Sequence, residues 1–290
     1  MCVERRELLR LAGLGVAWTV LPYPCFAAKP LKPLKVRRAK VAAGAECPFR
    51  ILHVSDSHVA RIDSRSPEGT YAFAKSRSRI GRELGEYYLD EAVHLARAKK
   101  TKIVHTGDFM DFMSEANLEY AERRLCTDDF LACVGTHEYW LDANHRDTEA
   151  YKKPTVPRLR KSWAGIPAST HRIGGINFFV FDNSFETVTD EALAALERTL
   201  GEGLPVVMVC HVPLWAEGCG MEAHVCGKPG LKKNDSVSCA FVETARKSPL
   251  VKAVLAGHVH CYREFAFSQT ATELVAGALF NGDCTEIEFS

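Results

Sequence analysis

Five apolar runs recur along the chain, and each ends in a cluster of small and polar residues: Ile51–Val54, Lys102–Thr106, Phe130–Val134, Val206–His211 and Val251–Ala256. Apolar runs of this length, bounded by Gly, Asp and other polar residues, predict buried strands. Helical patterns between them predict helices over Ile80–Lys99, Glu115–Leu125, Asp190–Leu200 and Ser236–Lys247. Thr170–Ile173 and Ile176–Phe181, joined by Gly174-Gly175, predict a hairpin. Tyr262–Phe267, Glu273–Ala276 and Thr285–Phe289 add short strands at the end. Strand-helix alternation followed by antiparallel strands predicts an α/β chain with mixed sheets covered by helices. The segments Asn144–Trp163 and Pro213–Asp235 show little periodicity and are read as rim or lid elements.

The polar residues behind these strands are chemically selective. They are Asp56-Ser57-His58, Gly107-Asp108, Gly135-Thr136-His137-Glu138, His211, and Gly257-His258-Val259-His260. Ligands gather beyond the carboxyl ends of such strands. Asp56, His58, Asp108, His211, His258 and His260 are therefore expected in one crevice. Two carboxylates and four imidazoles suit one or two divalent ions of the Mn, Fe or Zn kind and are too rich in nitrogen for Ca or Mg. Burying these groups together without an ion would be costly. His53, His94 and His105 lie outside the signatures and are read as structural. The basic stretch Lys75–Arg82 is read as a solvated run.

The order and wording of the signatures resemble the calcineurin-like metallophosphoesterase superfamily, whose pattern is D-x-H, G-D-x-x-D, G-N-H-[DE], a His, and G-H-x-H. The resemblance runs from about Phe49 to the end of the sequence. Gly107-Asp108-Phe109-Met110-Asp111 completes the second signature in the form seen in the cyclic-nucleotide-phosphodiesterase-like branch. The departure is Thr136, which stands where the family has Asn. The resemblance implies a four-layer αββα sandwich with two mixed β-sheets flanked by helices. It also implies two divalent metal ions: Asp56, His58, bridging Asp108 and His260 on one, and Asp108, the Thr136 position, His211 and His258 on the other. His137 is then the candidate acid for the leaving oxygen, with Glu138 expected to orient it. Asp111 has a similar supporting part or caps the helix starting near Ser114. The expected activity is hydrolysis of a small-molecule phosphomonoester or phosphodiester by a metal-activated water. Because the Thr hydroxyl reaches less far than an Asn carbonyl, the alternative is a catalytically silent, metal-stabilised binding protein on the same fold.

Composition permits this reading and narrows the partners. With 290 residues, 47% of them hydrophobic, the chain can bury a full core as one large domain. A net charge of +1 and the lack of an extended basic-aromatic pattern argue against a nucleic-acid partner. At the N-terminus, Arg5-Arg6-Glu7-Leu8-Leu9-Arg10 precedes an apolar stretch from Leu11 to Leu21, and Cys25-Phe26-Ala27 offers a small-x-small cleavage site. This resembles a twin-arginine export signal over residues 1–27. A basic linker at 28–48 and a catalytic domain at 49–290 follow. The apolar stretch is short for a membrane helix, so no stable anchor is expected and the location is periplasmic or extracellular. Of the eleven Cys, nine follow the signal; Cys219 with Cys226, then Cys126 with Cys133, are the first pairs to consider for disulfides.

Overall fold

Alternation within the strands dictates the layering. On β2 (Phe49–Val54) Ile51 points to one side and Leu52 and Val54 to the other; on β3 (Lys102–Thr106) Val104 opposes Ile103. On β6 (Ile176–Phe181) Phe178 and Val180 oppose Phe179 and Phe181. Both faces of these strands are thus apolar, which requires cover on both sides. The structure, a computed structural model, describes residues 32–66, 68–77, 83–127, 129–140, 149–214 and 235–290. Within it, Pro33–Ser290 forms one compact unit.

The first sheet has the order β1 (Lys35–Val41), β11 (Asp283–Phe289), β2, β3 and β4 (Phe130–Cys133). β1 runs parallel to β11, β11 antiparallel to β2, and β2, β3 and β4 parallel to one another. The second sheet has the order β5 (Ala168–Ile173), β6, β7 (Val206–Val209), β8 (Val251–Ala256), β10 (Thr272–Val275) and β9 (Arg263–Ala266). It is parallel in its middle and antiparallel at both edges. Between the sheets lies a core including Ile51, Val104, Ile287, Phe178, Val207 and Leu255. Outside the first sheet, α2 (Glu83–Lys99) and α3 (Glu115–Leu125) bury Leu89, Val93 and Tyr120. Outside the second, α5 (Asp190–Gly201) and α6 (Ser236–Lys247) bury Leu196 and Phe241. The result is the expected αββα sandwich with two mixed sheets. Each fully buried Leu, Ile or Phe contributes roughly 1.5–3 kcal/mol. The starts of α3, α5 and α6 are fixed by Ser114, Thr189 and Asp235, whose side chains accept the N–H three residues on.

Three segments differ from the sequence reading. The stretch taken as a basic linker contains β1, an edge strand in which only Ala39 and Val41 face the core. Its charges are matched across the strand pair: Arg37 to Asp283 at 2.6 Å, Arg38 to Glu286 at 3.5 Å and Lys40 to Glu288 at 3.3 Å. The partners lie almost the whole chain away, so local pattern cannot show them. α1 (Glu68–Arg77) buries only Thr70, Phe73 and Ala74. α4 (Glu149–Leu159) contains Pro154 and Pro157, which hid it within the segment read as aperiodic. The proposed pairing of Cys126 with Cys133 is overturned: both are free thiols, one exposed after α3 and the other buried on β4. The signal and the Cys219–Cys226 pair lie outside the described residues. Among the described residues no helix is long and apolar enough to cross a membrane.

Candidate active site

The parallel strands of both sheets deliver the signatures to one place. β2, β3 and β4 lead into Asp56, Asp108 and Thr136; β7 and β8 lead into His211 and His258. Hydrogen bonds between adjoining loops fix their depth. The Asp56 N–H donates to the Gly107 carbonyl at 3.0 Å and the His58 N–H to the Asp108 carbonyl at 3.0 Å. The two sheets are tied across the site by His211 Nδ1 to the Thr106 carbonyl at 2.8 Å, and by the His258 N–H to Asp56 Oδ2 at 3.1 Å.

The backbone there is strained in a systematic way. Asp56, His58, Asp108, His258 and His260 all have positive φ, between 49° and 72°. Only two other non-glycine described residues, Lys100 and Glu186, do so. A left-handed residue costs about 1–3 kcal/mol and persists only where its surroundings over-determine it. Neighbouring glycines supply the room: a Cβ on Gly135 would lie 2.4 Å from Asp108 N, and one on Gly257 would lie 1.8 Å from Ser55 Oγ.

The donor atoms converge. Asp56, His58, Asp108 and His260 each present one ligand atom, all within 4.8 Å of one another. His58 Nε2 and His260 Nε2 are 3.2 Å apart, and Asp56 Oδ1 is 3.2 Å from His260 Nε2 and 3.7 Å from His58 Nε2. On the other side of Asp108, His211 Nε2 is 3.3 Å from Oδ2 and 3.3 Å from His258 Nδ1. The arrangement fits divalent ions. Asp56 Oδ1 is buried without a well-formed hydrogen bond, and a mixed imidazole and carboxylate donor set suits a divalent metal ion. The field points the same way. Burial alone would lower the pKa of His58, but hydrogen bonds to Asp111 and Asp56 outweigh it and raise it to about 9. His211 is likewise driven up to about 10 against burial, chiefly by Asp108. Burial and the neighbouring His211 hold His258 down near 4. The carboxylates thus favour positive charge between them, whether proton or metal.

The supporting residues divide differently from the sequence reading. Glu138 does not orient His137. Its buried carboxylate accepts backbone N–H groups from Asp108 at 3.0 Å, Met110 at 3.1 Å and Gly135 at 2.6 Å, so it holds the loops in register. Burial, with Asp108 beside it, raises its pKa to about 7. His137 is held by Asp111, through Nδ1 to the backbone carbonyl at 2.8 Å and to Oδ1 at 3.1 Å, and its ring stacks on Trp140 at 3.5 Å. Its Nε2 is 3.9 Å from Asp108 Oδ2. Asp111 also holds His58 Nδ1 at 2.8 Å; the cap of α3 is Ser114, not Asp111. Asn183, which the sequence did not mark, accepts from the His211 and Val212 N–H groups at 3.1 and 3.0 Å. Thr136 Oγ1 is buried with no hydrogen-bond partner.

His53 and His105 are structural, as read. His53 Nε2 bonds Thr106 Oγ1 at 3.0 Å and His105 Nε2 bonds Ser57 Oγ at 2.6 Å. Burial pushes both pKa values down to about 3. Between pH 6.5 and 3 the unfolded chain binds protons that the folded one refuses, so stability is lost as pH falls. From pH 7 to 5 each histidine should cost on the order of 2 kcal/mol. His105→Phe should lose about that much less over this range, measured by urea unfolding at both pH values; an unchanged acid slope would show that the ring is protonated in the fold.

Solved structures of similar fold include a dimetal phosphatase from Danio rerio, 14% identical, with a TM-score of 0.50 over 80% of this chain and 88% of that one. A purple acid phosphatase from yellow lupin (Lupinus luteus) is 13% identical with a TM-score of 0.47, over 83% of this chain and 45% of that one. A phosphopantetheinyl hydrolase from Mycobacterium tuberculosis is 13% identical with a TM-score of 0.44, over 80% of this chain and 90% of that one. Of the three, only the likeness to the Danio rerio structure bears on this chain, and it speaks to fold alone. No curated protein sequence matches the chain significantly. The sequence model of calcineurin-like phosphoesterases matches residues 49–262, a span that starts at β2 and ends just past His260. With that match laid over the convergent loops, the chain belongs to the calcineurin-like phosphoesterase family, metal-binding hydrolases of phosphoric esters.

Proposed function

We propose that this protein is an exported phosphoesterase acting on a small-molecule phosphomonoester or phosphodiester. Asp56, His58, Asp108 and His260 would hold one divalent ion (Mn, Fe or Zn), and Asp108, Thr136, His211 and His258 the other. The observation that carries the reading is the convergence of Asp56, His58, Asp108 and His260, each on a strained left-handed backbone, with their ligand atoms within 4.8 Å of one another. Ions held there would supply a polarised water and charge stabilisation for the phosphoryl oxygens. The side chains do the rest. His137 donates from Nδ1 to the Asp111 carbonyl, so Nε2 is the nitrogen left to pass a proton to the leaving oxygen. Burial lowers the pKa of His137 against the pull of Asp108. The negative charge of a bound phosphate would raise it again. The Gly107–Asp111 form of the second signature supports a place in the cyclic-nucleotide-phosphodiesterase-like branch. The test is turnover of an aryl phosphate and a bis-aryl phosphodiester by Mn-loaded protein. Chelator-sensitive hydrolysis of either supports the proposal.

The unpartnered hydroxyl of Thr136 favours a second reading, a silent metal-stabilised binding protein. Full Mn binding without turnover of either ester would decide for it. Thr is stiff at χ1 and its oxygen reaches less far than an Asn carbonyl. Thr136→Asn should therefore raise metal stoichiometry toward two and increase the rate at limiting metal, with less change at saturation. A fall in both metal content and rate would instead make Thr136 a ligand or substrate contact in its own right.

Residues 1–27 lie outside the described residues, and their sequence supports export of the folded protein by the twin-arginine route to the periplasm or the medium. Nothing in the charge pattern calls for a nucleic-acid partner or a stable membrane anchor. Replacing Arg5-Arg6 by Lys-Lys should trap folded, unprocessed precursor in the cytoplasm, read by cell fractionation. Normal export of that variant would point to the general secretory route.

A further inference from the structure

Asp111 is fully buried, and one carboxylate serves two imidazoles: His58 Nδ1 at 2.8 Å and His137 Nδ1 at 3.1 Å. A carboxylate's terminal torsion is broad, so a hydrogen bond from His58 and a close approach of His137 on one oxygen do not fix its plane. Arg77 does. At the end of α1, it meets Asp111 with two parallel bonds, Nε to Oδ2 and Nη2 to Oδ1, both 2.9 Å. The guanidinium is itself held, 5.3 Å from the Trp140 ring centre and 5.8 Å from that of Phe73. Trp140 in turn stacks on His137. The Arg77 side chain is only 16% exposed and turns two of its donors onto Asp111.

We infer that Arg77 is a positioning residue: by fixing the plane of the Asp111 carboxylate, it aims His58 at the metal position and His137 at the leaving oxygen together. A planar fork is needed for this, because an ammonium presents a point charge and leaves the carboxylate free to turn. The role of His137 rests on the phosphoesterase reading above; the aim of His58 does not.

The experiment measures Mn²⁺ affinity, kcat and KM for wild type, Arg77→Gln and Arg77→Lys, with an activated aryl phosphate and an alkyl phosphate. Arg77→Gln should bind Mn²⁺ roughly 10-fold more weakly and lose about 10–100-fold in kcat, the scale of lost second-layer support. The loss should be greater on the alkyl ester, which needs the proton, with KM nearly unchanged. Arg77→Lys should fall between the two, and it decides in the same readouts if Arg77→Gln does not fold. A raised KM with kcat retained would make Arg77 a substrate contact and overturn the inference, as would wild-type Mn²⁺ affinity and kcat in a folded variant. If wild type hydrolyses neither these monoesters nor the bis-aryl phosphodiester, the functional reading fails, and the Mn²⁺ affinities alone still decide whether Arg77 aims His58.

Discussion

Asp108→Asn should abolish turnover and strip metal from both halves of the site. Asp108 Oδ1 accepts the His137 N–H at 2.9 Å, while Oδ2 faces three imidazole nitrogens: His211 at 3.3 Å, His58 at 3.7 Å and His137 at 3.9 Å. An Asn would keep its carbonyl on the N–H and turn its amide toward the imidazoles. The fold then survives, but the point between the two ligand groups changes from an acceptor with full charge to a neutral donor. Burial would raise the Asp108 pKa, yet His211 and His137 hold it far below the ordinary carboxylate range, a measure of how strongly its surroundings require the charge. A loss of at least ~10²-fold is expected, the scale of removing one preorganised electrostatic group. Metal analysis beside a thermal melt is the check. Wild-type activity with unchanged metal content would exclude Asp108 as the shared ligand.

His137→Ala should leave metal content intact and slow the reaction by about 10²–10⁴-fold on esters with poor leaving groups, the usual worth of a positioned acid. Asp111 keeps Arg77 and His58 as partners in that variant, so the charge it carries is still met and His58 keeps its orientation. Activated aryl esters, which leave without a proton, should lose much less. Kinetics across a series of leaving groups test this. Equal losses throughout would assign His137 to phosphate positioning instead.

Most of the site was legible in sequence because of where its residues sit. Asp56, Asp108 and His258 each follow a strand whose apolar run is visible locally, and strand ends in parallel sheets are where loops meet. What escaped depends on contacts remote in sequence. Arg77 looked like part of a solvated basic run because Asp111 is 34 positions away. Glu138 beside His137 suggested a side-chain pair, whereas the loop turns its carboxylate onto three backbone N–H groups. β1 has too few apolar residues to announce a strand, and its ladder and ion pairs are both made with β11, almost the whole chain away. α4 was hidden by its own prolines.

The order of strands in the first sheet sets a timetable for synthesis. β11 lies between β1 and β2 and follows every other described strand in sequence. Until residues 283–289 have left the ribosome, β1 has no neighbour to pair with and β2, which leads into Asp56 and His58, lacks one side of its ladder. Pairing that distant in sequence is slow to close. A chain cut before residue 283 would therefore carry every proposed ligand from Asp56 to His260 but lack the strand that β1 and β2 pair with. Such a chain leaves the facing edges of β1 and β2 open.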